Sequence, residues 1–194
     1  MDETVIHGST HVWMDHDTFT DGDHPDSTLP SYYGRIHQQH DGELDIVKGA
    51  DYVTASWNVF EDHDKTILIG FVFAPSTAAA NPRGYLVTRG RVTSEAPGAA
   101  YKLARPWVPG SDPTARPMLT IRDTWLGPGI DAVAPYANMR DAYPWQSMRF
   151  REYRDNGPGA EITVPENRPQ LTSAQAESAT RAAYLGDWAP WREC

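Results

Sequence analysis

The sequence predicts an all-β protein built as a parallel β-helix, a solenoid of stacked coils. Short runs rich in β-branched and aromatic residues recur along its 194 residues, separated by segments rich in Gly, Pro, Asp and Ser. Leu44–Ile46, Tyr52–Phe60 and Ile67–Phe73 place three strands within one span of 30 residues, inside the period of repeat architectures. Strand spacing alone also allows a sandwich. The coil-sized repeat favours the solenoid, in which each coil buries its inward side chains against its neighbours.

The longer predicted strands all share this composition; they are His11–Phe19, Tyr52–Phe60, Thr66–Phe73, Tyr85–Thr93 and Met118–Leu126. Helical periodicity is confined to Thr172–Leu185. Thr172 and Gln175 have capping-box spacing, and Gly186 is a natural stop. We therefore expect one short helix there, covering the end of the solenoid.

Charge divides the chain near Gly70. Residues 1–70 contain 14 acidic and 3 basic residues and all seven histidines, whereas residues 71–194 contain 12 acidic and 14 basic residues. Such asymmetry predicts two parts of different origin, 1–70 and 71–194, which we expect to form one continuous solenoid. The net charge of −9 argues against a nucleic-acid partner.

Three further observations concern membrane association, export and disulfide bonds. No stretch of 18 apolar residues is present, so no membrane partner is predicted. The first ten residues lack the basic and apolar regions of a signal peptide, so we expect no export signal in this chain. Cys194 is the only cysteine, which excludes an internal disulfide.

Acidic side chains in the first part offer hard oxygen ligands of the kind that Ca²⁺ prefers: Asp2, Asp15, Asp17, Asp41, Glu43 and Asp45. Asp41 and Asp45 have the even spacing that places two side chains on one face of an extended segment. A solvated acidic surface is the alternative, and it is our interpretation of Asp21, Asp23 and Asp26.

Histidines raise a zinc alternative, through His11 with His16 or His37 with His40. The chain has no HExxH spacing and no matching cysteines, so surface or hydrogen-bonded histidines are favoured.

The first part carries three specific motifs, VWMDH, DGELDI and VTASWNVFEDHDK. Through them, residues 2–70 resemble the pectate lyases of polysaccharide lyase family 1, right-handed parallel β-helix enzymes that cleave polygalacturonate by β-elimination. The resemblance implies calcium carboxylates at Asp2, Asp41 and Asp45, a substrate lysine at Lys65, and structural roles for Asp15 and His16. The family's base is an arginine in a downstream R-x-P-x-x-R stretch, which is absent here.

The second part carries ARPW, REYRDNGPGA and LGDWAPW. In these motifs residues 71–191 resemble the C-terminal coils of bacterial pectinesterases, again right-handed parallel β-helices. The resemblance implies substrate contacts from Arg105 and stacking by Trp107. The family's two catalytic aspartates should precede APST, but no acidic residue lies between Lys65 and Glu95. Asp123 and Glu152 are expected to pair with neighbouring arginines such as Arg122 and Arg151.

These resemblances leave three functions open, all with pectin or polygalacturonate as partner. The chain is a weak Ca²⁺-dependent pectate lyase, a pectinesterase, or an inert pectin-binding hybrid. For the lyase, we expect Arg105 to take the place of the missing base one coil beyond Lys65. Relatives imply an extracellular location and a role in pectin degradation. The open edge of the first coil, around Val5–Trp13, predicts self-association.

Overall fold

The computed structural model describes residues 4–23, 26–34, 43–47, 51–61, 71–93, 98 and 101–188. The chain forms two compact units, Met1–Gly70 with Asp187–Cys194, and Phe71–Gly186. Within the described ranges, every pairing between two strands is parallel. The expected all-β class is therefore confirmed.

The first unit contains six short strands: β1 Thr4–His7, β2 Thr10–Asp15, β3 Thr18–Thr20, β4 Leu44–Val47, β5 Asp51–Ser56 and β6 Val59–Glu61. A 3-10 helix spans Asp26–Thr28. Strands β1, β2 and β3 pair in chain order with β4, β5 and β6. Three strands that pair in sequence with the next three are the signature of one coil stacked on another.

A left-handed residue divides each long predicted strand of this unit in two. His16 separates β2 from β3 with φ 59°, and Trp57 separates β5 from β6 with φ 57°. Asn58 then joins the two turns: its Oδ1 accepts from the Asp17 N–H at 2.9 Å, and its Nδ2 donates to the Met14 carbonyl at 3.2 Å. These bonds satisfy one backbone N–H and one backbone carbonyl next to the turn.

The second unit contains seven strands: β7 Phe71–Phe73, β8 Tyr85–Thr88, β9 Arg91–Val92, β10 Lys102–Ala104, β11 Met118–Arg122, β12 Trp125–Leu126 and β13 Arg149–Tyr153. They form sheets β7–β10, β8–β11–β13 and β9–β12. Three 3-10 helices span Trp145–Ser147, Pro158–Ala160 and Pro165–Asn167. Of the predicted strand at residues 66–73, positions 66–70 lie outside the described residues.

The same turn recurs in this unit. Arg89, Asp123 and Arg154 follow β8, β11 and β13 with φ values of 57°, 51° and 55°. The Gly90 N–H donates to Thr124 Oγ1 at 3.4 Å, and the Thr124 N–H donates to Asp155 Oδ1 at 2.9 Å. Each coil thus caps the turn of the coil before it.

The core of the second unit lies between its three sheets. Its fully buried members include Leu103, Leu119, Ile121, Leu126 and Phe150, each at most 1% exposed. Burial of such a side chain contributes about 1.5–3 kcal/mol. This core stabilises the coils that carry the Arg105–Trp107 segment.

The predicted helix at Thr172–Leu185 is divided into α1 Ser173–Ala176 and α2 Arg181–Leu185. The Thr172–Gln175 capping box and the end at Gly186 are confirmed. The prediction of a single continuous helix was wrong. Arg122 Nη1 donates to the carbonyls of Ala176 and Ala179, each at 2.8 Å, and these two bonds hold the chain in a bend. Thr180 then caps the second helix.

Residues 173–185, the helical segment, lie across the outer face of the β8–β11–β13 sheet. Tyr153 of β13 donates to Ser173, Arg122 of β11 binds the central bend, and the Tyr184 hydroxyl donates to the Arg83 carbonyl just before β8. Thr120 of β11 lies between the core residues Leu119 and Ile121, so its side chain points to the outer face of the sheet, and it is buried there. The segment therefore covers the side of the coils, where we expected it to cover an end.

Candidate functional site

Arg105 and Trp107 come together in the structure. They are two residues apart in an extended segment after β10, and the Arg105 guanidinium carbon lies 5.1 Å from the centre of the Trp107 ring. Trp107 is 39% exposed, while Pro106 and Val108 between and after them are buried. The alternation turns the charged and aromatic side chains outward and anchors the backbone inward.

Backbone hydrogen bonds fix this segment to the preceding coil. The Arg105 N–H donates to the Phe73 carbonyl at 3.1 Å, and the Trp107 N–H donates to the Pro75 carbonyl at 2.9 Å. These bonds extend the parallel β7–β10 register, in which Ala104 pairs with Phe73. The pair is therefore held on a sheet continuation whose neighbour is residues 71–75.

Partial burial sets the electrostatics of Arg105. Desolvation lowers the pKa of its guanidinium below the ordinary value, because burial penalises the charged form. Guanidinium groups form charge-assisted hydrogen bonds with carboxylates, which sets the kind of chemistry that Arg105 can supply.

Of the expected calcium ligands, Asp45 lies within the described ranges and Asp2 and Asp41 lie outside them. Asp45 pairs in register with Val5 across the β1–β4 sheet. Leu44 and Ile6 are buried, whereas Val5 is exposed, so strand alternation places Asp45 on the outward face. Its carboxylate fits the donor chemistry of a hard cation. Glu43, another candidate oxygen donor, is fully buried.

Lys65 also lies outside the described residues. Among those that are described, no group of three His, Cys, Asp or Glu side chains is arranged to hold a metal ion. The calcium set and the pairing of Lys65 with Arg105 therefore stay predictions.

Asp15 and His16 have structural partners. The Asp15 Oδ1 accepts from the Ser56 hydroxyl at 2.5 Å, and its Oδ2 lies 2.6 Å from His16 Nδ1. Ser56 in turn accepts from Trp13 Nε1 at 2.7 Å. The Ser56 hydrogen bond, followed by His16, holds the pKa of the Asp15 carboxyl below its usual value. The network ties β2 to β5.

The two candidate zinc histidines in the described part have different surroundings. The His11 ring stacks on Tyr52 at 4.7 Å, whereas the His16 ring stacks on Trp57 at 6.2 Å. His37 and His40 lie outside the described residues. The aromatic contacts support hydrogen-bonded and stacked roles for His11 and His16.

Two expectations about acidic residues are corrected. Asp26 begins a 3-10 helix and is buried, so it is not part of a solvated loop. Asp123 pairs with Arg122 at 2.8 Å, as expected. Glu152 instead pairs with Arg168, because Arg151 lies on the opposite face of β13.

The Glu152–Arg168 pair is a buried network that the sequence did not reveal. Arg168 Nη2 donates to Glu152 Oε2 at 2.7 Å, and the Tyr136 hydroxyl donates to Glu152 Oε1 at 2.7 Å. Arg168 Nη1 also donates to the Gly159 carbonyl at 2.6 Å. Burial, followed by the Glu152 charge, raises the pKa of Tyr136. Full hydrogen bonding compensates the burial of both charges.

Comparison with known proteins finds similarity to two kinds of enzyme. The family profile for "Pectate lyase" matches residues 1–89. A pectate lyase of Bacillus subtilis (strain 168) is 54% identical over 69 residues, which are 36% of this chain and 16% of that protein. Pectinesterase A of Dickeya dadantii (strain 3937) is 32% identical over 145 residues, covering 62% of this chain and 37% of that protein.

In sequence the chain is similar to pectate lyases and to pectinesterases, and it is called the hybrid below.

A solved structure shows the fold of the hybrid. A pectin methylesterase variant in complex with a hexasaccharide matches with a TM-score of 0.69 at 21% identity, covering 94% of this chain and 72% of that one. The expected parallel β-helix is thereby confirmed. The family match reaches residue 89, beyond the change in character near Gly70. The aligned regions take in 16% to 37% of the lengths of the two curated relatives. In the described part of the chain, no helix has the length and apolar character needed to cross a membrane.

Proposed function

We propose that the hybrid binds polygalacturonate, the de-esterified form of pectin, and acts on it as a weak Ca²⁺-dependent pectate lyase. The observation that carries the proposal is the outward-facing pair of Arg105 and Trp107, with the guanidinium carbon 5.1 Å from the indole centre. A guanidinium pairs with a carboxylate, and an indole offers a flat apolar face to a sugar ring. A uronate presents both groups on one residue.

Asp2, Asp41 and Asp45 are proposed to hold the calcium ion, and Lys65 is proposed to bind the uronate carboxylate. When bound, calcium would neutralise that carboxylate and so acidify the proton on the adjacent carbon. The outward position of Asp45 on the β1–β4 sheet supports this assignment.

The proposed elimination needs a base for that proton. We assign this role to Arg105, which lies in the segment after β10 and whose partial burial lowers the pKa of its guanidinium below the ordinary value. As the base takes the proton, its electron pair forms the C=C bond of an unsaturated uronide and the glycosidic C–O bond breaks. The oxygen leaves with the other part of the sugar chain and takes up a proton from solvent. The family's R-x-P-x-x-R stretch is missing, so weak turnover is expected.

Two other functions are distinguishable by product. A pectinesterase would release methanol, and the likeness to pectinesterase A and to a pectin methylesterase structure favours testing for it. An inert hybrid would bind polygalacturonate and release neither methanol nor unsaturated uronide. No acidic residue lies between Lys65 and Glu95, where the nucleophilic aspartate of an esterase is expected, so esterase activity is the less favoured function.

Several finer features belong to the same proposal. The coils are proposed to be right-handed and continuous from residues 1–70 into residues 71–194, and the protein to act outside the cell, as its relatives imply. Within the described residues, β1, β2 and β3 each pair with one strand only. That free edge, with Val5 exposed, supports self-association.

Binding of hexagalacturonate by the full chain tests the central part of this proposal. Trp107→Ala should weaken Ca²⁺-supported binding about tenfold, because the sugar loses its stacking surface. Trp57→Ala is the matched control, since Trp57 is also an exposed tryptophan and lies in the other unit. Equal affinity of Trp107→Ala and the unchanged protein would contradict the proposed binding surface.

A further inference from the structure

A groove crosses the turns of all three coils in the second unit, on a different sheet from Arg105 and Trp107. Two adjoining depressions form it, with volumes of about 240 and 370 Å³, and both are lined by Arg122. One wall is the helical segment, residues 173–185. The opposite wall carries Arg89, Arg154 and Tyr153 at the ends of β8 and β13. We name it the arginine groove.

Positive charge dominates the arginine groove, although the whole chain has a net charge of −9. Four arginines line it, namely Arg89, Arg122, Arg154 and Arg181. Two acidic residues, Asp123 and Glu177, accompany them. The excess of cations creates a local positive potential, which attracts anionic ligands.

The coils set the spacing of these charges. The Arg89 N–H donates to the Arg122 carbonyl, and the Asp123 N–H donates to the Tyr153 carbonyl, so Arg89, Asp123 and Arg154 occupy equivalent positions on successive coils. Neighbouring parallel strands lie about 4.8 Å apart, which separates Arg89 and Arg154 by roughly 10 Å along the groove. All three residues have a left-handed backbone.

The arginines differ in how firmly they are held. The Arg122 guanidinium is fixed by Asp123 at 2.8 Å and by the carbonyls of Ala176 and Ala179. The Arg154 side chain is 70% exposed, and its Nε lies 3.6 Å from Asp123 Oδ1, beyond a close hydrogen bond. Its guanidinium carbon lies 6.0 Å from the Tyr153 ring centre. Arg122 thus builds the floor, while exposed Arg89 and Arg154 face solvent.

We propose that the arginine groove is a second carbohydrate site, which binds the carboxylates of a polyuronate chain without calcium. Polygalacturonate carries one carboxylate on every sugar residue, so a chain along the groove offers carboxylates to successive coils. Arginine binds carboxylates through paired N–H donors, and Tyr153 adds an aromatic surface at one end. This inference takes the class of ligand, a polyuronate, from the proposed function, and it is otherwise independent of the Arg105–Trp107 surface.

The test is calorimetric titration of the full chain with hexagalacturonate in excess chelator, which silences calcium-dependent binding. The paired variant Arg89→Gln/Arg154→Gln should bind at least about tenfold more weakly than the unchanged protein. Arg140→Gln is the matched control, because Arg140 is an exposed arginine 4.7 Å from the Tyr143 ring and lies outside the groove. Unfolding curves of all three proteins should coincide.

Each outcome has a defined meaning. Loss in the paired variant with retention in Arg140→Gln and in Trp107→Ala supports the second site, even if the Arg105–Trp107 surface fails its own test. Undiminished binding by the paired variant overturns the inference. Equal binding of fully methyl-esterified hexagalacturonate also overturns it, since carboxylates would then be irrelevant. Binding of inorganic phosphate without hexagalacturonate would make the groove a small-anion site and refute the polyuronate assignment.

Discussion

Asp155 is a largely buried carboxyl at the turn after β13. Its Oδ1 accepts the Thr124 N–H at 2.9 Å in the turn ladder, while its Oδ2 is buried with no hydrogen-bond partner among the described residues. Burial raises the pKa of this carboxyl to about 7; the Thr124 N–H opposes the shift, and the Glu152 charge adds to it. The side-chain oxygen of an asparagine could accept the same Thr124 N–H without changing its protonation.

We predict that Asp155→Asn removes a pH dependence of stability. Between about pH 4 and pH 7 the folded carboxyl keeps a proton that the unfolded chain releases. The free energy of unfolding of the unchanged protein should therefore fall as pH rises through this window, by at most about 4 kcal/mol. Urea unfolding at pH 4.5 and pH 8 measures it.

The control for Asp155 is Asp141→Asn, which changes an exposed carboxyl. Its unfolding free energy should follow the unchanged protein at both pH values. An equal loss of stability between pH 4.5 and pH 8 in Asp155→Asn and in the unchanged protein would contradict this role of Asp155.

Single residues also show where sequence reasoning stops. The Asp123–Arg122 pair was predictable because the two are adjacent in sequence. Glu152 pairs instead with Arg168, sixteen residues away, and only the stacking of coils brings them together. The role of Asp155, in the motif REYRDNGPGA, could not be predicted from the sequence, because it depends on a backbone N–H in the preceding coil.

Among the elements, the helical segment is the one whose form the sequence predicts least well. Its Ala-rich pattern predicts one continuous helix, and the capping box at Thr172 is correct. The bend between α1 and α2 depends on Arg122, fifty-four residues from Ala176 in the chain. Tertiary contacts override helix propensity here.

We predict that Arg122→Gln loosens the helical segment. The variant loses two 2.8 Å hydrogen bonds to Ala176 and Ala179, each worth about 0.5–1.5 kcal/mol. Amide hydrogen exchange across residues 173–185 should accelerate about tenfold, while exchange in β11 should change less.

Arg91→Gln is the control for this prediction. Arg91 is the first residue of β9, where it pairs with Trp125 of β12, and its guanidinium carbon lies 4.1 Å from the Trp125 ring centre. Unaltered exchange in Arg122→Gln, or equal acceleration in Arg91→Gln, would show that Arg122 does not hold the bend.

The sequence predicts where the strands lie, but it does not predict how long they are. Residues 11–19, 52–60, 85–93 and 118–126 all contain strands, since β-branched and aromatic composition is a local signal. Each run is broken by a left-handed residue, namely His16, Trp57, Arg89 or Asp123. None is glycine, so the residue type most typical of a left-handed backbone does not mark these positions.

At the scale of the whole molecule, the hybrid joins an acidic lyase-like part to a more basic esterase-like part. The fold class and both resemblances were readable from sequence, because motifs and coil-sized repeats are local. The Arg105–Trp107 pair was also readable, since two residues separate its members. The arginine groove was not, because its residues come from three coils and a helical segment.

The ultraviolet absorbance of polygalacturonate incubated with the protein tests the central claim most directly. Unsaturated uronide absorbs where the substrate does not, so elimination appears as a rise over time. We predict a slow rise with Ca²⁺ that chelator abolishes and that Arg105→Ala removes. A flat trace with Ca²⁺ from a folded sample, or an undiminished rise in Arg105→Ala, would contradict the proposed lyase.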